Sequence, residues 1–527
     1  MIERARGLHV VAAAGLWIVA AVSPAVRMTR AAETPPAAAP AAKREACEDC
    51  HRRLSPALVM EWEGSRHGQA GIGCEACHEA DKTDVDAWQH EGTWVSSLVT
   101  PKDCARCHEQ EYAEFSHSHH AMAGEILASL DNVLAEKVAG MPGNVADAVN
   151  GCWQCHGSIV KFKRDANGAV ARAESGRPVI DPTTWPNSGV GRLNPDGSKG
   201  SCHACHARHA FQAKLSRSPE NCGKCHMGPD HPQIEIYDES KHGIAFYANR
   251  DRMALDKDSW ILGKDYSAAP TCATCHIGGY MTPQGVAAGN SHDVGERISW
   301  TLRPVVSTKL NLVVYEDGHK EDFPDTKPLP KVGDTVETSE KVVKDEKLET
   351  VMRPRKVAKV LTWQDRRKQM KGVCLNCHND TYVDNFYEQF DSLVVLYNEK
   401  FAKPAQALMN DLQADGAINP KAPFEHDVQW IFYELWHHEG RRARHGASMM
   451  GPDYTHWHGM YEVGKHFYTG FLPAVVETAG KKSPELRKKY EAKVQELLAK
   501  GEHVWLKGMT PAEAEALRKE YQQRYNQ

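Results

Sequence analysis

Beyond residue 380, apolar residues recur every three to four positions with polar residues between them, which is the pattern of amphipathic helices. The predicted helices cover residues 384–415, 424–447, 484–500 and 511–525. Ser483 and Gly501 bracket the third of these helices, and Thr510 with Glu513 has the spacing of a capping box. The last third of the chain is therefore predicted to be helical, with apolar faces that pack on the preceding residues or on other subunits.

A second apolar stretch lies at the N-terminus, at residues 8–26, behind a basic start. Small residues at Ser23 and Ala25 suit cleavage, so residues 1–30 are predicted to be a secretory signal peptide. An uncleaved membrane anchor is the alternative, because the stretch has borderline length for a membrane span. Residues 31–45 form an Ala/Pro-rich tether. No other segment has eighteen apolar residues, so we expect an exported, periplasmic protein.

Between these regions the hydrophobic pattern is broken into short pieces, which indicates short helices and loops with little β-structure. One hairpin is predicted where residues 159–163 meet residues 169–171 across Asn167 and Gly168. A second β candidate covers residues 298–314. Residues 331–359 are rich in Val, Lys and Glu and are predicted to be a surface insertion.

Eight Cys-x-x-Cys-His pentapeptides account for all sixteen cysteines of the chain. In c-type haem attachment the two thiols form thioethers with one haem, and the next residue places its imidazole beneath the iron. Zinc sites or disulfides would also use paired cysteines, but neither explains the histidine that follows every pair. We therefore expect eight covalently bound c-type haems. Their cysteines are Cys47, Cys50, Cys74, Cys77, Cys104, Cys107, Cys152, Cys155, Cys202, Cys205, Cys222, Cys225, Cys272, Cys275, Cys374 and Cys377, and their proximal ligands are His51, His78, His108, His156, His206, His226, His276 and His378.

The expected fold class is mainly α: a multihaem cytochrome c body with little β over residues 46–380, followed by the long-helix region over residues 381–527. A hydrophobic fraction of 41% and an aromatic fraction of 8% are low for a core of this size, and the haems supply the missing apolar surface. Sixty-four basic and sixty-nine acidic residues nearly balance, so nothing indicates a nucleic-acid partner. A cytochrome c-type electron acceptor, soluble or membrane-bound, is compatible with this charge.

An iron with two histidine ligands only transfers electrons, whereas an open sixth position can bind a substrate. Twenty histidines lie outside the motifs, which is enough to saturate seven or eight irons, so their number leaves both an enzyme and a pure electron conduit open. The candidate distal ligands lie in polar or Gly-rich contexts. They are His67, His120 (with His117 and His119 as competitors), His209, His242, His292, His445 and His458.

From Cys47 to Tyr468 the chain resembles the octahaem hydroxylamine oxidoreductases. The most specific stretches are residues 151–157 (GCWQCHG), 189–192 (GVGR), 201–209 (SCHACHARH), 228–233 (GPDHPQ), 239–243 (ESKHG), 272–276 (CATCH) and 451–459 (GPDYTHWHG).

The resemblance implies that the fourth haem is catalytic. Related octahaem nitrite reductases carry lysine as the proximal ligand of that haem, and His156 stands here, which favours oxidation. Asp230 and His231 match the family's distal acid/base pair, and a histidine held by a carboxylate is a suitable base near neutral pH. Tyr280 is the candidate for a distal tyrosine of the same site.

Oxidative members of the family cross-link a tyrosine of a neighbouring subunit to the catalytic haem. Tyr454 is the best match, with Tyr433 and Tyr461 as competitors. A cross-link through Tyr454 would imply the family's homotrimer, with the helical C-terminal third contributing to the interface.

These features predict an exported oxidase of small nitrogenous substrates. Hydroxylamine would lose electrons at the fourth haem, giving nitric oxide or nitrite, and the electrons would leave through seven bis-histidine haems. Hydrazine oxidation to dinitrogen, nitrite reduction, and non-catalytic electron transfer are the alternatives.

Overall fold

The computed structural model describes residues 41–141 and 144–525. The predicted signal peptide and residues 31–40 of the predicted tether lie outside the described residues, and the first helix begins at Ala41. The chain is 49% helical and 14% strand, which confirms the mainly α fold class. Within residues 41–141 and 144–525, no helix has the length and apolarity needed to cross a membrane.

The first part of the chain consists of short helical segments joined by turns. Most are four to eight residues long, because the motif turns and many Gly and Pro residues interrupt them. They are Ala41–Leu54, Pro56–Glu63, Arg66–Gln69, Glu75–His78, Pro101–Ala105, Glu109–Ser116, Ala123–Ala128, Leu130–Val133, Leu134–Ala139, Ala146–Asn150, Cys152–His156, Cys202–Ala204, Ala213–Arg217, Pro219–Gly223, Gln233–Glu239, Lys241–Ala248, Arg250–Arg252 and Cys272–His276.

The predicted long helices are present after the last motif, but several contain a wider π turn. The segments are Trp363–Cys374; Asp380–Tyr397, Asn398–Ala402 and Lys403–Ala414; Asp427–Glu434, Leu435–Glu439 and Gly440–Met449; Pro452–Thr455, His456–Tyr461, Glu462–His466, Phe467–Phe471 and Leu472–Lys482; Pro484–Leu498; Gly501–Lys507; and Pro511–Tyr525. The helical run from Pro452 to Lys482 was not predicted. Ser483 caps the next helix by accepting from Leu486 N–H, and the predicted capping box of Thr510 and Glu513 is formed.

The long helices share one apolar core, which includes the buried rings of Tyr397, Phe401, Phe467 and Phe471. Arg444 connects this core to the motif-bearing part of the chain. Its fully buried guanidinium lies 4.2 Å over the Tyr397 ring and donates to Pro304 O at 2.9 Å and Ser307 Oγ at 2.6 Å.

Three small sheets account for the β-structure. The largest has the strand order Lys320–Pro324, Leu310–Tyr315, Lys347–Leu361 and Thr335–Lys344, with antiparallel neighbours. Only the end of the predicted 298–314 segment is a strand, and the predicted surface insertion is a long hairpin. The second sheet pairs the strands Ala87–His90 and Thr93–Ser96. The third sheet joins the strands Ile261–Leu262, Gly279–Met281 and Ala287–Ala288.

The hairpin predicted at residues 159–171 is present as an irregular ladder. Arg164 pairs with Val170, and Gly168 takes a φ of 80° in the turn, which an L side chain rarely adopts. Glu346, at the tip of the long hairpin, lies 2.8 Å from Arg164 and accepts from Phe162 N–H. The long hairpin therefore packs against the segment that follows the fourth motif.

Candidate haem-binding and catalytic site

Each motif forms about one helical turn, which explains its spacing. His108 N–H donates to Cys104 O at 2.9 Å, and the same bond joins His206 to Cys202, His226 to Cys222 and His378 to Cys374. Residues i, i+3 and i+4 share a helix face, so both thiols and the imidazole face one side. None of the sixteen cysteines is in a disulfide.

Five motif histidines face a second histidine. An iron held between two imidazoles separates their ring centres by about 6 Å, the sum of two iron–nitrogen bonds of about 2 Å and two ring radii of about 1 Å. The observed separations are 6.0–6.4 Å, and Nδ1 of His67 is buried without a hydrogen-bond partner. These residues fit haem irons with two axial histidines. The pairs are His51–His90, His78–His209, His108–His67, His226–His120 and His378–His242.

Four predicted distal ligands thus lie beside a motif histidine. His90 was missed, and its only signal in the sequence is its place in the short aromatic strand pair, where Trp88 packs 4.9 Å from it. Burial lowers the pKa of the motif histidine His206 to about 4, and the charge effect of the predicted ligand His292 is the next largest cause.

The other predicted ligands are placed differently. His445 carries a buried, unpartnered Nε2, but no motif ring contacts it among the described residues. His458 is half-exposed, and its Nδ1 lies 2.8 Å from Asp453. Of the competitors to His120, His117 faces His319 at 6.1 Å and His119 pairs with Asp322 at 2.7 Å.

The sixth motif has two histidines at the same distance. His120 lies 6.0 Å and His231 lies 5.9 Å from His226. Nδ1 of His231 is also 2.9 Å from Asp230, the contact expected of a base, whereas burial lowers the pKa of His120 to about 4.

We therefore expect His120→Ala to convert one low-spin haem to high spin, because an axial nitrogen is removed. His231→Ala is expected to leave the low-spin count unchanged. Electron paramagnetic resonance of both oxidised variants measures this. A loss of low-spin signal in His231→Ala and not in His120→Ala would exchange the two assignments.

Three pairs of thiols from different motifs are in side-chain contact: Cys155 with Cys225, Cys222 with Cys272, and Cys104 with Cys202. In each pair the contact raises the pKa of the first thiol. The fourth motif therefore lies beside the sixth, the sixth beside the seventh, and the third beside the fifth.

The fourth motif is held by closely packed backbone. Val190 N–H donates to Cys155 O at 2.9 Å, and Gly191 N–H donates to His156 O at 3.1 Å. A Cβ on Gly189 would lie 2.0 Å from Gly157 N, and one on Gly157 would lie 2.5 Å from Arg192 N. Residues 189–192 (GVGR) therefore pack closely against the loop that carries His156.

Gly157→Ala is expected to lower the free energy of unfolding by about 2–4 kcal/mol, because Gly157 has a φ of 75° and backbone atoms block the new Cβ. Gly168→Ala is the matched control. Its φ is 80° with nothing within 4 Å of the new Cβ, so about 1–2 kcal/mol of strain alone is expected. Thermal unfolding of both holoproteins compares them. Equal losses would show that the tight packing at Gly157 adds nothing.

The surroundings of His156 differ from those of the five paired motif histidines. Among residues 41–141 and 144–525 its imidazole makes no ring contact with another histidine. Burial lowers the pKa of His156, followed by the charge effect of His231, and Asp131 and Asp230 act in the opposite direction. The neighbours of this ring are therefore acid/base groups.

Asp230 and His231 form the pair predicted from the sequence. They follow the sixth motif, and the side chains are about one quarter exposed. Burial acts to raise the pKa of Asp230, but contact with His231, and then the charges of His437 and Arg441, lower it to about 2. Asp230 is thus a carboxylate at neutral pH, with Arg441 Nη1 3.4 Å away.

Tyr433, His437, Asp131 and Arg441 extend this site and were not predicted as a group. Tyr433 O–H donates to Asp131 at 2.6 Å, and His437 Nε2 lies 2.8 Å from the same oxygen. Tyr433, His437 and Arg441 recur every four positions along one helix. Their partners Asp131 and Asp230 lie some 200 to 300 residues earlier, so no local sequence pattern reveals the cluster.

The predicted tyrosines are dispersed. Tyr280 is buried on the strand Gly279–Met281 beneath Arg297 and against Gly372, and the structure does not bring it to Asp230 and His231. Tyr454 is half-buried beside His458, and its N–H donates to Glu239. Tyr461 is 51% exposed. Tyr433 is the tyrosine of this chain that lies in the acid/base cluster.

Family profiles match three parts of the chain: the cytochrome c7 and related cytochrome c family at residues 36–109, the cytochrome c554 and c-prime family at residues 103–175, and the sevenfold multi-haem cytochrome CxxCH family at residues 195–326. A probable nitrite reductase-hydroxylamine oxidoreductase fusion protein of Kuenenia stuttgartiensis is 23% identical over 396 residues. The alignment covers 71% of this chain and 38% of that protein, so the chain spans well under half of its length.

Two solved structures share the fold. A hypothetical multiheme protein has a TM-score of 0.64 at 24% identity, over 82% of this chain and 94% of that one. The reducing HAO-like protein complex Kustc0457/Kustc0458 of Kuenenia stuttgartiensis has a TM-score of 0.51 at 18% identity, over 87% and 88%. The family profiles support covalently bound c-type haem and a redox function, and the chain is similar to the hydroxylamine oxidoreductase-like multihaem proteins.

Proposed function

We propose that the protein binds eight haems and oxidises hydroxylamine at the haem of the fourth motif. The observation that carries this proposal is the environment of His156: Asp230 and His231 both act on its pKa, and among the described residues no second imidazole is in ring contact with it, a feature that it shares with His206 and His276. Open coordination next to a base is what substrate oxidation requires.

Oxidation of hydroxylamine to nitric oxide removes three electrons and three protons, and oxidation to nitrite consumes one water and removes four electrons and five protons. A haem held by Cys152, Cys155 and His156 would supply an iron for the substrate nitrogen and an acceptor for the electrons. His231 would accept protons from the N–H and O–H groups of the substrate. Asp230, ionised at every pH above about 4 because its pKa is about 2, orients the imidazole and stabilises its protonated form.

Activity is not expected to change with the titration of Asp230, because its pKa of about 2 lies far below the working range.

Nitrite reduction is the second candidate, and one observation favours it. The guanidinium of Arg441 lies next to Asp230 and is only 11% exposed, and a buried cation suits an anionic substrate such as nitrite. The names of two relatives, a fusion with nitrite reductase and a reducing complex, are consistent with it. Hydrazine oxidation and pure electron transfer remain as further alternatives.

A cross-link between Tyr454 and the catalytic haem of a neighbouring subunit would favour oxidation, and it would require a homotrimer. The half-exposed position of Tyr454 at the start of the helical run Pro452–Lys482 leaves it accessible to another chain. The proposed compartment is the periplasm, and the proposed acceptor is another c-type cytochrome.

The test is turnover of the purified holoprotein with hydroxylamine, hydrazine and nitrite, followed by mass spectrometry of the peptide that contains Tyr454. Hydroxylamine oxidation together with haem mass on that peptide supports the proposal. Nitrite reduction with an unmodified Tyr454 would replace it with the reductive function. The peptide that contains Tyr461 is the matched control for non-specific attachment.

A further inference from the structure

A sixth pair of histidines has the spacing of the five pairs at the haem motifs, but neither of its rings belongs to a motif. The ring centres of His117 and His319 lie 6.1 Å apart, with the ring planes at 88°. His117 follows the helix Glu109–Ser116, and His319 lies in the turn between the strands Leu310–Tyr315 and Lys320–Pro324. All sixteen cysteines are in the eight motifs, so this pair has no further covalently attached haem to serve.

The turn that carries His319 brings this residue against His117. Tyr315 N–H donates to His319 O at 2.9 Å, and Gly318 N–H donates to Tyr315 O at 3.0 Å, so the turn is closed by its own backbone. Gly318 has a φ of 85°, and a Cβ there would lie 3.3 Å from Nε2 of His117. The glycine therefore permits the close approach of the two imidazoles.

One nitrogen of the pair is buried without a partner. His319 is 8% exposed, and its Nε2 makes no hydrogen bond. Edge-to-face packing of two rings also gives a separation near 6 Å, but it leaves such a nitrogen unsatisfied, which costs free energy inside a protein. A metal ion bound between the two imidazoles would satisfy it.

The charges around the pair suit a cation. Lys320 lies 2.6 Å from Asp293, and Arg355 lies 2.7 Å from Asp317 and 2.5 Å from Glu340, so both cationic side chains are neutralised. One carboxylate is left over on the ring itself, because Glu321 Oε1 lies 3.7 Å from Nε2 of His319. Four carboxylates thus face two cations. They are Asp293, Asp317, Glu321 and Glu340, against Lys320 and Arg355.

The separation of the rings indicates which ion fits. Two imidazoles on opposite sides of a metal place their ring centres about 6 Å apart, whereas the tetrahedral angle at zinc brings them to about 5 Å. The observed 6.1 Å fits opposite positions, which are typical of tetragonal Cu²⁺ or Ni²⁺ with nitrogen ligands. Copper binds such nitrogens more tightly than nickel does. No three His, Cys, Asp or Glu side chains among residues 41–141 and 144–525 form a ligand set, so water completes the coordination.

We propose that His117 and His319 bind one Cu²⁺ ion that is separate from the haem irons. The ion joins the turn of the largest sheet to the loop that follows the third motif. The same loop carries His119, which lies 2.7 Å from Asp322 of that sheet, and His120, which faces the sixth motif histidine. The ion therefore fixes the sheet against a loop that positions an axial haem ligand.

Copper content tests this proposal on the purified holoprotein. The protein is treated with a chelator, equilibrated with one equivalent of Cu²⁺, passed through a desalting column and analysed for copper and iron by mass spectrometry. We expect the wild type to keep about one copper per chain, and His117→Ala and His319→Ala to lose most of it while keeping their iron.

His426→Asn is the matched control. The ring of His426 lies 4.0 Å from Glu425, so it resembles the proposed site in having a carboxylate neighbour, but in the described part of the chain it faces no second imidazole. His426 is also a helix N-cap, a position that Asn fills well. This variant should keep as much copper as the wild type.

A second measurement needs only the wild type, so it does not depend on how the variants fold. X-ray absorption at the copper edge counts the imidazoles bound to the ion, and two are expected. Added Cu²⁺ should also raise the unfolding midpoint of the chelator-treated wild type but not that of His319→Ala. A wild type that keeps no copper, copper with fewer than two imidazoles, or equal copper in the wild type and both alanine variants would each overturn the proposal.

Discussion

Replacement of His231 by glutamine is expected to lower kcat for hydroxylamine oxidation by about 10²–10⁴, which is the usual contribution of a positioned acid/base group. Glutamine has a similar size and can still donate to Asp230, so the pocket keeps its shape while the base is lost. The value of KM should change little, because the substrate nitrogen binds to iron. Steady-state kinetics with hydroxylamine measures the effect.

Asp238→Asn provides the control for this experiment, since Asp238 is exposed on the next helix and accepts a hydrogen bond from Tyr247 O–H, which asparagine can also accept. It should keep most of the wild-type activity. A His231→Gln enzyme with nearly unchanged kcat would remove His231 from the mechanism and leave another group as the base.

Arg444→Met is expected to lower the free energy of unfolding by about 3–5 kcal/mol, because it leaves several buried hydrogen-bond acceptors without a donor. The side chain donates to Gly440 O, Pro304 O and Ser307 Oγ, and its charge lies over the Tyr397 ring. Burial lowers the pKa of Arg444 to about 10, so the group remains a cation at neutral pH. Methionine has a similar length but no donor.

Thermal unfolding followed by circular dichroism measures this loss. Arg518→Met is the control, because Arg518 is 65% exposed and pairs only with Glu515 on the same helix. Its unfolding midpoint should stay near that of the wild type. If Arg444→Met unfolded at the same temperature as Arg518→Met, the Arg444 network would not hold the long helices to the motif-bearing part of the chain.

Much of the helical C-terminal region could be predicted because its signals are local. Apolar spacing and the caps at Ser483 and Thr510 depend on residues a few positions apart, and the structure confirms both caps. The π turns could not be predicted, since one extra residue per turn leaves the apolar spacing nearly unchanged. The sheet built on Leu310–Tyr315 was predicted only in part, because the long hairpin that extends it carries many charged residues and resembles a surface loop in sequence. Its buried polar contact between Thr338 and Arg355 has no local signal.

For the candidate site, too, the residues that are close in sequence could be predicted and those brought together from distant positions could not. The eight motifs are contiguous in sequence, so the cysteines and proximal histidines can be read directly. Distal ligands come from elsewhere in the chain: His90 meets His51 through a strand pair, and His437 meets Asp131 across some 300 residues. Asp230 and His231 were assigned from the family resemblance, and the structure places them 2.9 Å apart. Tyr280 packs in an apolar cluster with Tyr237, Tyr266 and Val373.

The measurement that tests the central claim most directly is electron paramagnetic resonance of the oxidised holoprotein, with and without hydroxylamine or cyanide. The account predicts one high-spin iron per chain among low-spin irons, and it predicts that this signal changes on ligand addition and is lost when Cys152 and Cys155 are replaced by serine. A spectrum with low-spin irons only and no response to either ligand would contradict it and identify the protein as an electron conduit.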